Sequence, residues 1–165
     1  MLVNLVSALS ALESGVEYIL FVTEDNRHLF SEAMPSRFIY VAPTWVRSPT
    51  RRIFYELFIL PLVVKRLDVD LFFAVNQIYA PWMPCPVSSL VQNLLYYHYR
   101  FSNHDYGGGS RLLREIRYRF FAALGSICAR RAAHVVAVSE CVKKKVIEQD
   151  GVEGENVHVV PLALS

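Results

Sequence analysis

Residues 134–151, HVVAVSECVKKKVIEQDG, decide how the rest of the chain is read. The opening run is valine-rich and too short for a helix, the pattern of a buried parallel strand. Ser139 follows at once, and Val142, Val146 and Ile147 then recur at helical spacing. A serine at such a junction predicts an N-cap, its hydroxyl accepting from the backbone N–H two or three residues on. Gly151 stops the helix. Lys143 to Lys145 read as a solvated face, because the valines and Ile147 mark the buried one. The alternative for the lysines is phosphate binding.

The same alternation runs outward from this unit. Downstream, Val157 to Val160 reads as one more strand. Upstream, a helix is predicted from Ser110 to about Arg131, preceded by a long aromatic and then glycine-rich loop, residues 94–109. Val87 to Val91 is a strand that ends at Gln92-Asn93, and residues 76–86, with three prolines, form the loop before it. Val69 to Val75 reads as another buried strand. Ser48 as cap and Pro49 at the first helical position open a long helix that closes near Arg66. Pro61 lies inside it and is expected to kink or split it. Residues 16–22 and 37–41 supply two further strands, and an amphipathic helix with Leu2, Leu5, Val6, Leu9 and Leu12 on one face begins the chain. Strands alternating with helices predict an α/β fold, a doubly wound, Rossmann-like parallel sheet covered on both faces. With no internal repeat and no linker, residues 1–165 read as a single domain.

Composition narrows the class. The 165 residues are 53% hydrophobic and 19% charged, a globular balance. Seventeen basic against fifteen acidic residues give a net charge of +2, too small to point to nucleic acid. Three cysteines without metal-ligand spacing read as reduced cytosolic thiols. The most apolar run, Ile53 to Val64, has 12 residues and contains Glu56, whereas a membrane span needs about 20. No Lys or Arg precedes the first apolar run, which reads as a helix and not as a secretion signal.

At this point the residues carry a resemblance. AHVVAVSECVKKKVIEQDGVEGENVHVVPLALS resembles the end of the N-terminal domain of family 4 glycosyltransferases, which have the two-domain GT-B fold. SPTRRIFYELFILPLVVKRLDVDLFFAVNQIYAP is similar to the same family's helix and following strand, and VSSLVQNLLYYHY to its next strand and acceptor-side loop. The resemblance covers nearly the whole chain. It implies transfer of a sugar from a nucleotide-sugar donor to a glycan or lipid-linked acceptor, with retained anomeric configuration and neither metal nor cofactor. The N-terminal domain would bind the acceptor, the C-terminal domain the donor. Cell-envelope polysaccharide synthesis in the cytoplasm, peripheral to the inner membrane face, is the implied setting.

Against that family pattern, the chain begins inside the first helix, without the first strand and its glycine-rich turn. It also carries no donor-binding domain, so alone it is expected to be inactive. Loss of a central strand predicts that the strands at 16–22 and 69–75 pair directly or leave an apolar slot, and that the chain is poorly soluble. A subunit that pairs with a separate donor-binding chain and a noncatalytic binding or membrane-docking module are the other readings.

In such sheets ligands sit beyond the carboxyl ends of the strands. That rule selects Asn76, Gln77, Gln92, Asn93 and Ser139, beside Glu140, for acceptor binding. Many relatives carry His-Asp where Gln92-Asn93 stands here. An amide binds a sugar hydroxyl but cannot act as a base, so no catalytic residue is assigned. The other reading is that both amides simply cap the strand end. His98, His104 and Asp105 match no metal-ligand motif and read as loop residues, and Gly107 to Gly109 as a flexible loop without phosphate-binding spacing. Arg111, Arg114 and Arg117 recur every three residues beside Leu112, Leu113, Phe120 and Phe121. They either meet an anionic membrane or snorkel from a helix that covers the sheet.

Overall fold

The computed structural model describes residues 5, 6, 8, 9, 15–30, 39–92 and 111–161, with side chains from Glu115 onward in the last of these segments. They fall into two compact units, Met1–Tyr55 and Glu56–Ser165.

In the first unit, β1 (Leu20–Val22) pairs in parallel with β2 (Ile39–Val41), Leu20 opposite Ile39 and Val22 opposite Val41. β1 is shorter than its apolar run, because only the last three of residues 16–22 join this ladder. Residues 5, 6, 8 and 9 are helical, and Val6 is buried with Val22 and Phe30. Helix α1 (Glu24–Arg27) is a single turn, and α2 (Pro49–Phe54) starts at its proline. Ser48 corrects the expectation of a side-chain cap. Its backbone is extended but its hydroxyl makes no capping bond, and its carbonyl accepts from Arg52 N–H at 2.8 Å instead.

The helix does not run straight to Arg66. A π-helical turn, Tyr55–Ile59, intervenes before α3 (Leu60–Arg66). Pro61 has no N–H and its ring crowds the carbonyl four residues earlier, which is Leu57, inside that wider turn. The predicted split is thus a change of pitch just ahead of the proline. Leu60, Pro61 and Val64 are buried.

The second unit holds a parallel sheet in the order β3 (Phe72–Ala74), β4 (Val87–Val91), β5 (His134–Ala137), β6 (Val157–Val159). All five residues of β4 are buried, as its place between β3 and β5 requires. Helix α4 (Arg111–Arg131) precedes β5. Helix α5 (Glu140–Lys145) follows it and ends in a π-helical turn, Val146–Asp150. One sheet face carries Val91, Val135, Ala137 and Val157, packed with Ala129 of α4 and with Val142 and Val146. On the same face Ala74 and Val87 pack with Cys128 of α4 and Tyr79. Gly151 terminates the helical stretch with φ +67° and ψ 30°, a left-handed conformation that glycine adopts without strain.

The architecture is therefore α/β with parallel sheets. Among the described residues, β1 ladders with β2 in the first unit, and β3 to β6 form the four-stranded sheet of the second. Among the described residues, no helix is long and apolar enough to cross a membrane.

Candidate functional site

Every strand of the larger sheet is parallel to its neighbours, so all their carboxyl ends lie along one edge. Asn76 and Gln77 follow β3, Gln92 follows β4 and Ser139 follows β5. The sheet order puts these three strand ends side by side.

Gln92 is exposed, and its Nε2 donates to the Val75 carbonyl at 3.2 Å. The side chain thus ties the end of β4 to the end of β3, one residue before the exposed Asn76. Its other N–H and its Oε1 retain hydrogen-bonding capacity. Gln92 both braces the strand ends and offers an amide to solvent.

Gln77 lies elsewhere. It is only 4% exposed and packs on Gly125 of α4. A Cβ added at Gly125 would come within 3.3 Å of Gln77 Nε2, so the glycine makes room for that amide. Gln77 seats the loop under the helix, while Asn76 next to it faces solvent.

Ser139 does what its position predicts. Its backbone is extended, φ −162° and ψ 163°, and its Oγ accepts from Val142 N–H at 3.3 Å. The hydroxyl proton remains available as a donor. Glu140 beside it is exposed.

The proline-rich loop, residues 76–86, is held by a clasp that spacing did not reveal. Tyr79 Oη donates to the Cys128 carbonyl at 2.6 Å, and Cys128 Sγ donates to the Tyr79 carbonyl at 3.1 Å. Arg131 Nη1 adds a bond to the Pro81 carbonyl at 3.0 Å. Burial chiefly pushes the Tyr79 phenol far above its ordinary range; the neighbouring Cys128 adds to the rise and Arg131 opposes it. Burial likewise raises the Cys128 thiol. Trp82, in the same loop, packs on Phe58 with ring centroids 5.6 Å apart. The loop that carries Asn76 is therefore anchored along its length.

Asn93, His98, His104, Asp105 and Gly107 to Gly109 lie outside the described residues, as do the side chains of Arg111 and Arg114. Arg117 is exposed on α4, between exposed Ile116 and half-buried Tyr118. Arg119 is engaged with Glu115 at 2.7 Å. Among the described residues, no group of three or more His, Cys, Asp or Glu side chains is placed to hold a metal ion.

Amides and a hydroxyl along one sheet edge can bind hydroxyl-rich ligands; neither exposed Asn76 and Gln92 nor half-buried Ser139 transfers a proton at neutral pH. Compared with known families, residues 1–164 match the family model described as Glycosyltransferase Family 4. Among curated proteins, none matches the chain.

Proposed function

Because the chain belongs to Glycosyltransferase Family 4, we propose that its larger sheet is the acceptor-binding side of a sugar transferase. The acceptor is a glycan or lipid-linked saccharide, and it binds along the strand ends through Asn76, Gln92, Asn93 and Ser139. Gln77 acts beneath them by holding the loop. The observation that carries this reading is the Gln92 bond to the Val75 carbonyl, which fixes an exposed amide beside Asn76 at the edge where such sheets bind ligands. The nucleotide-sugar donor binds a second domain and not these residues. Transfer retains anomeric configuration, requires no metal, and takes place in the cytoplasm during cell-envelope polysaccharide synthesis. The chain alone transfers no sugar.

Titration of the chain with oligosaccharide acceptors and with nucleotide sugars, followed by saturation-transfer NMR, tests this division. Acceptors are expected to bind saturably, and Gln92→Ala or Asn76→Ala to weaken them by roughly tenfold or less, the scale of one hydrogen bond. Tight binding of a nucleotide sugar by this chain would overturn the assignment.

A second reading, peripheral contact with an anionic membrane through Arg111, Arg114 and Arg117, is favoured by one observation. Ile116 and Phe120, one helical turn apart on α4, are 56% and 54% exposed on either side of Arg117 in sequence. Apolar side chains beside exposed cations suit an interfacial helix. The chain should float with vesicles that contain anionic lipid and less so after Arg117→Glu. Equal flotation with neutral vesicles would remove this reading.

A further inference from the structure

The larger sheet presents, on the face opposite Val135 and Ala137, two histidines that sequence spacing keeps 24 positions apart. His134 opens β5 and His158 lies in the middle of β6. The register sets Val136 opposite His158, so His134, two residues earlier on the same strand face, is its diagonal neighbour. Both are exposed, and their rings lie 5.4 Å apart between centroids. His134 Nδ1 and His158 Nε2 are 3.4 Å apart.

In the free protein this contact is a long imidazole–imidazole hydrogen bond, whose donor depends on the tautomer. The same separation matches a second geometry. Two imidazole nitrogens bound to one tetrahedral zinc at about 2.0–2.1 Å stand about 3.3 Å from each other. We infer that His134 and His158 form a two-histidine chelate for a single divalent transition ion of the imidazole-preferring class, zinc or copper.

Each ring contributes one neutral nitrogen, Nδ1 from His134 and Nε2 from His158. Water fills the remaining positions, since no third His, Cys, Asp or Glu is grouped with them among the described residues. Adjacent strands of a hydrogen-bonded sheet hold the two donors at a fixed spacing, so little ordering is left for the ion to impose. Hard ions that prefer oxygen, magnesium and calcium, are not ligands for this pair. The chelate is separate from the strand-end residues. His134 stands at the start of β5, whereas Ser139 lies past that strand's carboxyl end.

The test uses the whole chain, Zn²⁺ by calorimetric titration and Cu²⁺ by electron paramagnetic resonance. One equivalent of Zn²⁺ is expected to bind, and the Cu²⁺ spectrum to carry hyperfine coupling from two nitrogens. His134→Ala and His158→Ala should each abolish that site, with circular dichroism unchanged because both side chains are exposed. His28→Ala and Cys141→Ser should retain it. Magnesium should not compete. Binding that survives either single substitution at the pair, or a Cu²⁺ signal with no nitrogen coupling, would overturn the inference. Sugar-acceptor binding is expected to be unchanged in both variants, so this result stands or falls apart from the transferase reading.

Discussion

At Ser139 a single hydroxyl decides where a strand stops and a helix begins. The Val142 N–H is one of the donors that the start of any helix leaves without an intrahelical partner, and Ser139 Oγ takes it up at 3.3 Å. Ser139→Ala should lower stability by about 1 kcal/mol, read as a shift in urea midpoint at constant slope. Ser139→Asp should restore most of it, because a carboxylate caps equally well and suits the positive end of the helix. A full-sized loss in the Asp variant would show that the serine acts by some route other than capping. Ser139 was legible in the sequence because a cap needs only its own next few residues. Gln77 was not. The sequence groups it with Asn76 as a strand-end amide, yet it is seated against Gly125, which only the folded helix brings to it. Two adjacent residues thus take opposite roles, one turned to solvent and the other to the helix.

Elements built from local pattern match the expectation closely. The strand–cap–helix unit, the left-handed stop at Gly151 and the interruption ahead of Pro61 all follow from residues within a turn of one another. What local pattern omits is the join between elements. The proline-rich loop reads as a connector, but the Tyr79–Cys128 pair and Arg131 fasten it to α4 across about fifty positions. This clasp has a pH signature. Burial raises Tyr79 above its ordinary 10.0 and Cys128 above its ordinary 9.0, so the folded chain holds protons that the unfolded chain releases. Their contribution to stability is complete below about pH 9 and declines as pH rises through the unfolded values toward the folded ones. Tyr79→Phe should cost about 1 kcal/mol at neutral pH, for the lost bond to the Cys128 carbonyl, and should flatten the alkaline decline. Urea unfolding at pH 7 and pH 10.5 measures both. An unchanged alkaline slope in the variant would mean that the phenol is not what titrates.

Across the molecule, the two units differ in how much of each strand is secured. β4 has partners on both sides, five buried residues and a covering layer from α4, whereas β1 and β2 share one ladder of three residues over a cluster centred on Val6, Val22 and Phe30. A two-stranded ladder that short is marginal without more apolar area behind it. The sequence conveyed none of this contrast, because residues 16–22 and 87–91 both read as strands and pairing partners are a property of the sheet. Local opening free energies should differ accordingly. Native-state hydrogen exchange is expected to show Leu90 and Val136 among the slowest amides, at or near the global unfolding limit. Phe21 and Tyr40 should exchange well before it, through opening of the smaller sheet alone. Raising urea below the unfolding transition should leave this order intact, since the small ladder exposes less surface when it opens and responds with a shallower slope. If Phe21 and Tyr40 exchanged at the same rate and with the same slope as Leu90, the two sheets would open as one cooperative body, and the smaller one would draw its stability from more than its own three pairs.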